Sequence, residues 1–139
     1  MANPTYGAYL EAEILSADPV KLVTILYRAA IDCVGVARLH LKAGAIRERS
    51  RQITKASEII YELMHSLDYR HGGEISRSLA ELYAYMQTQL IDANTRQIDA
   101  PLADVEKLLS TLLEAWRAAT PAAPPPPVEA AYAPVSCTY

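Results

Sequence analysis

IRERSRQITKASEIIYELMHSLD, residues 46–68, carries the apolar spacing that decides the fold class. Ile46, Ile53, Ile60 and Leu67 recur at intervals of seven, and Ala56 and Leu63 fill the intermediate positions. That period belongs to a helix whose single apolar seam packs against other helices. The reading places a helix from about Ile46 to Asp68.

Upstream, Asp18-Pro19 supplies a helix start. An Asp can accept from the free N–H groups of a first turn, and Pro at the first helical position gives up a donor that had no partner. The helix is expected to run to about Lys42. At about 100° per residue, Lys21, Thr24, Arg28, Asp32, Gly35, Arg38 and Lys42 share one narrow strip. Roughly two thirds of the circumference is left apolar, so this helix is either buried on several sides or offers a groove.

Downstream, Gly72-Gly73 permits backbone angles closed to other residues, so a tight reversal is expected there, with a third helix from about Glu74. Its inward stripe reads Ile75, Leu79, Leu82, Met86, Leu90 and Ala93. Pro101 opens a fourth helix, with the stripe Leu102, Val105, Leu109, Leu112 and Trp116 flanked by Leu108 and Leu113. Four long helices joined by short loops predict an all-α, antiparallel up-down-up-down four-helix bundle. The expected organisation is a segment 1–17, a bundle 18–119 and a tail from about 120 to 139. Six of the nine prolines fall in that tail, which can neither continue a helix nor bury enough surface to order itself.

Composition narrows the function. Hydrophobic residues make up 51% of the 139 positions and charged ones 21%, enough for a core and against a wholly disordered chain. A formal net charge of −3 gives no long-range attraction for phosphate backbones. Cys33 and Cys137 are too few and too far apart for a disulfide framework or a four-ligand metal site, which favours a reducing, cytoplasmic setting. No cationic leader precedes the first apolar run, and Lys21, Arg28, Asp32 and Arg38 interrupt the longest one, so membrane insertion is not expected.

The best sign of an enzyme is Glu62-Leu-Met-His65, because Glu-x-x-His sets a carboxylate and an imidazole one helical turn apart, as di-iron bundles require. A metal-carboxylate bundle needs two such pairs and two further Glu, whereas here Glu62 and His65 lie opposite the apolar seam. A solvated face is the better reading, and no metal or other cofactor is expected. Asp68 and His71 repeat the spacing but fall at the glycine turn, and are not expected on one continuous helix. His40 has no partner nearby in sequence. Phosphate loops, nucleophile elbows and Cys/His clusters are absent, so the chain does not read as an enzyme. Arg47, Arg49 and Arg51, with Lys42 and Lys55, form a basic knot, but it contains Glu48 and its arginines project from different sides of a helix. It reads as solvated surface, not a nucleic-acid site.

An apolar surplus remains: Ile59, Met64, Tyr61, Tyr83, Tyr85 and the wide face of the first helix exceed what narrow seams need. It serves either as extra core or as a groove for amphipathic helices of a partner. Nine tyrosines with no phenylalanine suit a half-wet surface, where the ring packs and the hydroxyl stays bonded or hydrated. A regulatory adaptor built on a helical bundle is a second reading of the same pattern.

Residues 6–119 resemble the flagellin-specific export chaperones of bacterial flagella, the FliS family. The matching pieces are Tyr9, then Ser16-Ala17-Asp18-Pro19, Ile25-Leu26-Tyr27, Ala30-Ile31, Ile60-Tyr61-Glu62-Leu63 and Leu67-Asp68. Gly72-Gly73-Glu74-Ile75, Leu79, Leu82-Tyr83-Ala84-Tyr85-Met86, Leu90 and Ala93-Asn94 look like the family's central signature, and Leu113-Glu114-Ala115-Trp116 like its closing motif. Ser16, Asp18, Arg28 and Ser78 depart from the residues usual there. The resemblance implies a cytoplasmic chaperone that binds the disordered C-terminal segment of flagellin, prevents premature polymerisation and presents the subunit to the export gate, with a co-chaperone as a further partner. By match to the family, Tyr9 and its neighbour Tyr6 contact the partner. Leu22, Ile25, Leu26 and Tyr83 are nominated for the groove on their apolar or amphipathic character, with bundle core as the alternative for each.

Overall fold

The computed structural model describes residues 19–119, which form four helices: α1 Pro19–Ala43, α2 Ile46–His65, α3 Tyr69–Arg96 and α4 Ala100–Ala119. The expectations for Asp18, for the segment 1–17 and for the tail lie outside the described residues. Each helix packs on its neighbours in sequence, and α1 also packs on α4. Loops of two or three residues force consecutive helices to run antiparallel, which is the expected four-helix bundle.

Local chemistry sets the ends. α1 stops in a Schellman motif: Gly44, at φ +70°, donates its N–H to Leu41 O at 3.2 Å, and Ala45 donates to His40 O at 2.9 Å. Gln97 takes the same left-handed conformation at the end of α3, with φ 55°, and its N–H reaches Ala93 O.

The reversal between α2 and α3 corrects the expected geometry. α2 ends at His65, and the chain turns at Ser66–Asp68, before the glycine pair. Asp68 caps the next turn: its Oδ1 accepts from the N–H groups of Arg70 at 3.0 Å and His71 at 3.2 Å. A side-chain cap is worth about 1 kcal/mol, which is why the chain turns here. Asp68 and His71 are thus held together after all, with His71 Nδ1 at 2.6 Å from Asp68 Oδ2. Gly73 still breaks the helix, but as a kink inside α3 with φ 50° and ψ −117°, a backbone conformation that L side chains resist. Gly72 is needed for another reason. Ser76 donates its hydroxyl to Asp68 O at 2.9 Å, and a Cβ on Gly72 would meet that hydroxyl oxygen.

Ala30, Val34, Ala37, Ala56, Ile60, Met86, Ala93, Leu102, Val105 and Leu109 are fully buried along the common axis. On α4 the buried stripe continues to Leu113, while Leu108, Leu112 and Trp116 are half-buried beside it. The seam of α2 holds through Ile53, Ala56, Ile60 and Leu63, but Ile46, one turn below the end of the core, is 55% exposed. Much of the wide apolar face of α1 is core: Ile25, Leu26, Tyr27, Ala30, Val34 and Ala37 are buried.

Polar contacts fix the pairing of helices. Gly35 brings α1 close to α4, since a Cβ there would stand 3.1 Å from Glu106 Oε2. Three residues on, Arg38 grips Asp99 with Nε and Nη2, both at 2.8 Å, and donates Nη1 to Glu106 Oε1 at 2.6 Å. The guanidinium holds the Asp99 carboxyl below its ordinary value of 3.8. A lowered folded value means that the pair stabilises above the ordinary value and is lost as pH falls through the lowered one. As pH falls below about 4, urea midpoints should fall more steeply for the native chain than for Asp99→Asn. At neutral pH a double-mutant cycle on Arg38 and Asp99 should give a coupling of about 0.5–1 kcal/mol, because the pair is bidentate but one-third exposed.

The basic knot is split by the fold. Arg47 and Arg51 are exposed, whereas Arg49 is 3% exposed and bonds across to α3. Its Nε donates to Asn94 Oδ1 at 3.0 Å, and Ser50 Oγ donates to the same oxygen at 3.1 Å. Ser57 and Gln87 repeat the α2–α3 link higher up, at 2.6 Å.

Candidate partner-binding site

A hollow of about 370 Å³ lies along the first turns of the long part of α3, lined by Glu74, Ile75, Ser78, Leu79 and Leu82. α3 also reaches further up the bundle than α2. The Ser57–Gln87 bond sets the register of the antiparallel pair α2–α3. Counting up from it, α2 ends at His65 near the level of Leu79, and α3 overhangs by more than a turn. Toward this end the inward stripe of α3 becomes more exposed. Leu90, Met86 and Tyr83 are at most 2% exposed, Leu79 and Leu82 are half-buried, and Ile75 is 71% exposed. Ile75 was expected in the core, and here the structure corrects the period: the residue has the phase of the stripe but stands exposed at its upper end.

The side of the hollow is also defined. Tyr85 and Gln89 reach α4, both through Asp104 Oδ2, at 2.5 and 3.1 Å. Ser78 and Leu82 lie seven residues before them on the same stripe, so the hollow lies on the flank of α3 that faces α4 lower down. The start of α1 and the end of α4 meet at this end, since Trp116 donates its indole N–H to Val20 O at 3.3 Å. Val20 is 48% exposed. The rim is thus apolar with one carboxylate, Glu74, and one hydroxyl, Ser78, a surface suited to the apolar face of a helix.

The nominated residues fall in different places. Leu22 is half-buried at the start of α1, near this end. Ile25 and Leu26 are 9% and 8% exposed. Tyr83 is 2% exposed and sits beneath the hollow, its hydroxyl 2.5 Å from that of Tyr27 across the diagonal of the bundle. Burial pushes both phenols above their ordinary value. Tyr6 and Tyr9 lie outside the described residues. Sequence reasoning missed Glu74, Ile75, Ser78, Leu79 and Leu82 as a site. Their one signal was the apolar stripe itself, and no period shows which end of it stands exposed.

The Glu62–His65 pair forms no centre. Both are exposed, and His65 Nδ1 is 2.9 Å from Tyr61 O. Among the described residues no three of His, Cys, Asp and Glu come together as a metal site.

Comparison with known proteins gives the chain its family. The family model described as flagellar protein FliS matches residues 1–123. The chain belongs to the FliS family. Among its relatives is the flagellar secretion chaperone FliS of Salmonella typhimurium, 37% identical over 115 residues, covering 82% of this chain and 85% of the relative. The flagellar secretion chaperone FliSB of Pseudomonas aeruginosa is 33% identical over 107 residues, covering 77% and 85%. FliS of Bacillus subtilis, also named a flagellar secretion chaperone, is 29% identical over 117 residues, covering 84% and 86%. The relatives are thus named as chaperones of flagellar secretion, and the helical bundle expected of a FliS protein is the one observed. Among the described residues no helix is long and apolar enough to cross a membrane.

Proposed function

We propose that this FliS-family protein is a cytoplasmic chaperone that binds the C-terminal segment of flagellin, keeps it from polymerising early and assists its delivery to the flagellar export gate, without catalysing a reaction. The observation that carries the reading is the exposed upper part of α3. Ile75, Leu79 and Leu82 offer an apolar stripe in helical register with a buried one, so an amphipathic helix from the partner can pack along it on the α4 side of α3. A segment that folds as it binds gains these contacts and loses chain entropy, which keeps affinity compatible with release during export. Leu22 and Ile25 extend the contact onto α1, Leu26 and Tyr83 support it from below, and Tyr6 and Tyr9 contribute to partner binding by their match to the family.

Calorimetric titration with the C-terminal region of flagellin from the same cell tests this. The expected result is one-to-one binding with a negative heat-capacity change. Ile75→Asp should weaken it about tenfold or more with unchanged melting, and Tyr9→Ala should weaken it too. Failure to bind any flagellin of that cell, or full affinity in Ile75→Asp, overturns the reading.

A further inference from the structure

The lining of the hollow is apolar at Ile75, Leu79 and Leu82 and polar at Glu74 and Ser78. These sets form two rows along α3. At about 100° per residue, Ile75, Leu79 and Leu82 fall within about 60° of one another, and Glu74 and Ser78 share the adjacent outward edge. Among the described residues Glu74 is the one charged side chain of that lining. It is exposed and has no ion pair within the chain among the described residues.

The bases nearest to it in sequence do not neutralise it. Arg77 is on the side of α3 turned away from the apolar row, about 170° around the helix. Arg70 and His71 stand beyond the kink at Gly73, where His71 Nδ1 is 2.6 Å from Asp68 Oδ2. From α4, Asp104 marks the edge that faces α3, and the residues in line with it toward the hollow are Leu108, Thr111 and Ala115. That edge brings no positive charge to Glu74.

A helix that lays apolar side chains on Ile75, Leu79 and Leu82 displaces water from the lip on which Glu74 stands. A carboxylate that loses water without gaining a donor weakens the complex, whereas one that meets a lysine or arginine as it is desolvated gains a partner the free chain does not supply. Specificity of this kind comes as much from the unpaired charge left by a wrong partner as from the pair made by the right one. The row is also short: Ile75 to Leu82 at about 1.5 Å per residue spans about 10 Å, two turns of a docked helix.

We propose that Glu74 is a specificity-determining residue of the hollow. It selects, within the C-terminal segment of flagellin, a two-turn apolar stretch with a lysine or arginine beside it, and disfavours a helix that brings an acid or an apolar side chain to that edge. Ser78, one turn on, can donate or accept and so sets no sign of charge. The inference rests on the reading of the hollow as the flagellin site. An acid at the start of the long part of α3 also suits the helix dipole, but that role acts on stability and leaves the salt dependence of binding unchanged.

Calorimetric titration with the C-terminal region of flagellin from the same cell tests it. Affinity of the native chain should fall as salt rises. Glu74→Lys should weaken binding about tenfold or more, and Glu74→Gln about threefold with a flatter salt dependence. Arg77→Gln, on the far side of α3, should bind as the native chain does. When the lysines and arginines of the flagellin segment are changed to glutamate one at a time, one change should weaken binding to the native chain and be rescued by Glu74→Lys. Native affinity and native salt dependence in Glu74→Lys, or rescue of none of the flagellin changes, overturns the proposal. If Ile75→Asp still weakens binding in that case, the flagellin reading of the hollow stands without it, and if Ile75→Asp binds with full affinity, both fall.

Discussion

Leu90→Ala should lower the stability of the bundle by about 2–5 kcal/mol, whereas Ile75→Ala should change it by less than about 0.5 kcal/mol. Both residues belong to the inward stripe of α3, and hydropathy does not distinguish them. Leu90 is 1% exposed in the middle of the core, where truncation loses the transfer free energy of its methyl groups and leaves a cavity that surrounding helices cannot fill. Ile75 is 71% exposed, so little burial is lost with its side chain. Chemical denaturation of the two variants measures this directly. A large cost at Ile75 would mean that the upper stripe is covered, and the docking surface would have to be sought elsewhere.

Tyr27→Phe and Tyr83→Phe should each cost about 1–3 kcal/mol, and the double substitution should recover much of the loss. The two hydroxyls are 2.5 Å apart and their residues are 3% and 2% exposed, one from α1 and one from α3. Removing either oxygen leaves the other buried without its partner, which is the costly case. Removing both deletes the polar requirement and leaves two rings in the same apolar setting. Unfolding free energies of the four proteins close a thermodynamic cycle, with an expected coupling above about 1 kcal/mol. A coupling near zero would show that each hydroxyl has another partner. The pair also fixes the floor of the hollow, so flagellin titration of the double variant separates support from contact.

Gly44 and Gln97 show how a local signal can and cannot be seen in advance. A glycine after an apolar run marks a helix end on its own, because it takes positive φ without strain, but nothing about glutamine points to the left-handed position it holds at the end of α3. Asp68 was visible as a helix-capping type, yet the more conspicuous Gly72-Gly73 drew the expected reversal to itself. A side chain that accepts two backbone N–H groups ended the loop four residues earlier, and left Gly73 to bend the helix.

What the amino-acid order determined alone is periodic and local: four helices, their seams, most of their ends, and a family membership that the comparisons establish. Those properties depend on residues a few positions apart, and the 3.6-residue turn reports them directly. Tertiary structure alone decided which ends of those seams are covered. Ile75 and Ile46 have the phase of core residues and stand exposed, and Arg49 has the character of surface and is buried. Burial depends on what lies opposite, and what lies opposite depends on the relative lengths and register of helices far apart in sequence. That register is set by contacts such as Ser57 with Gln87 and Arg38 with Asp99, which no period along one helix encodes.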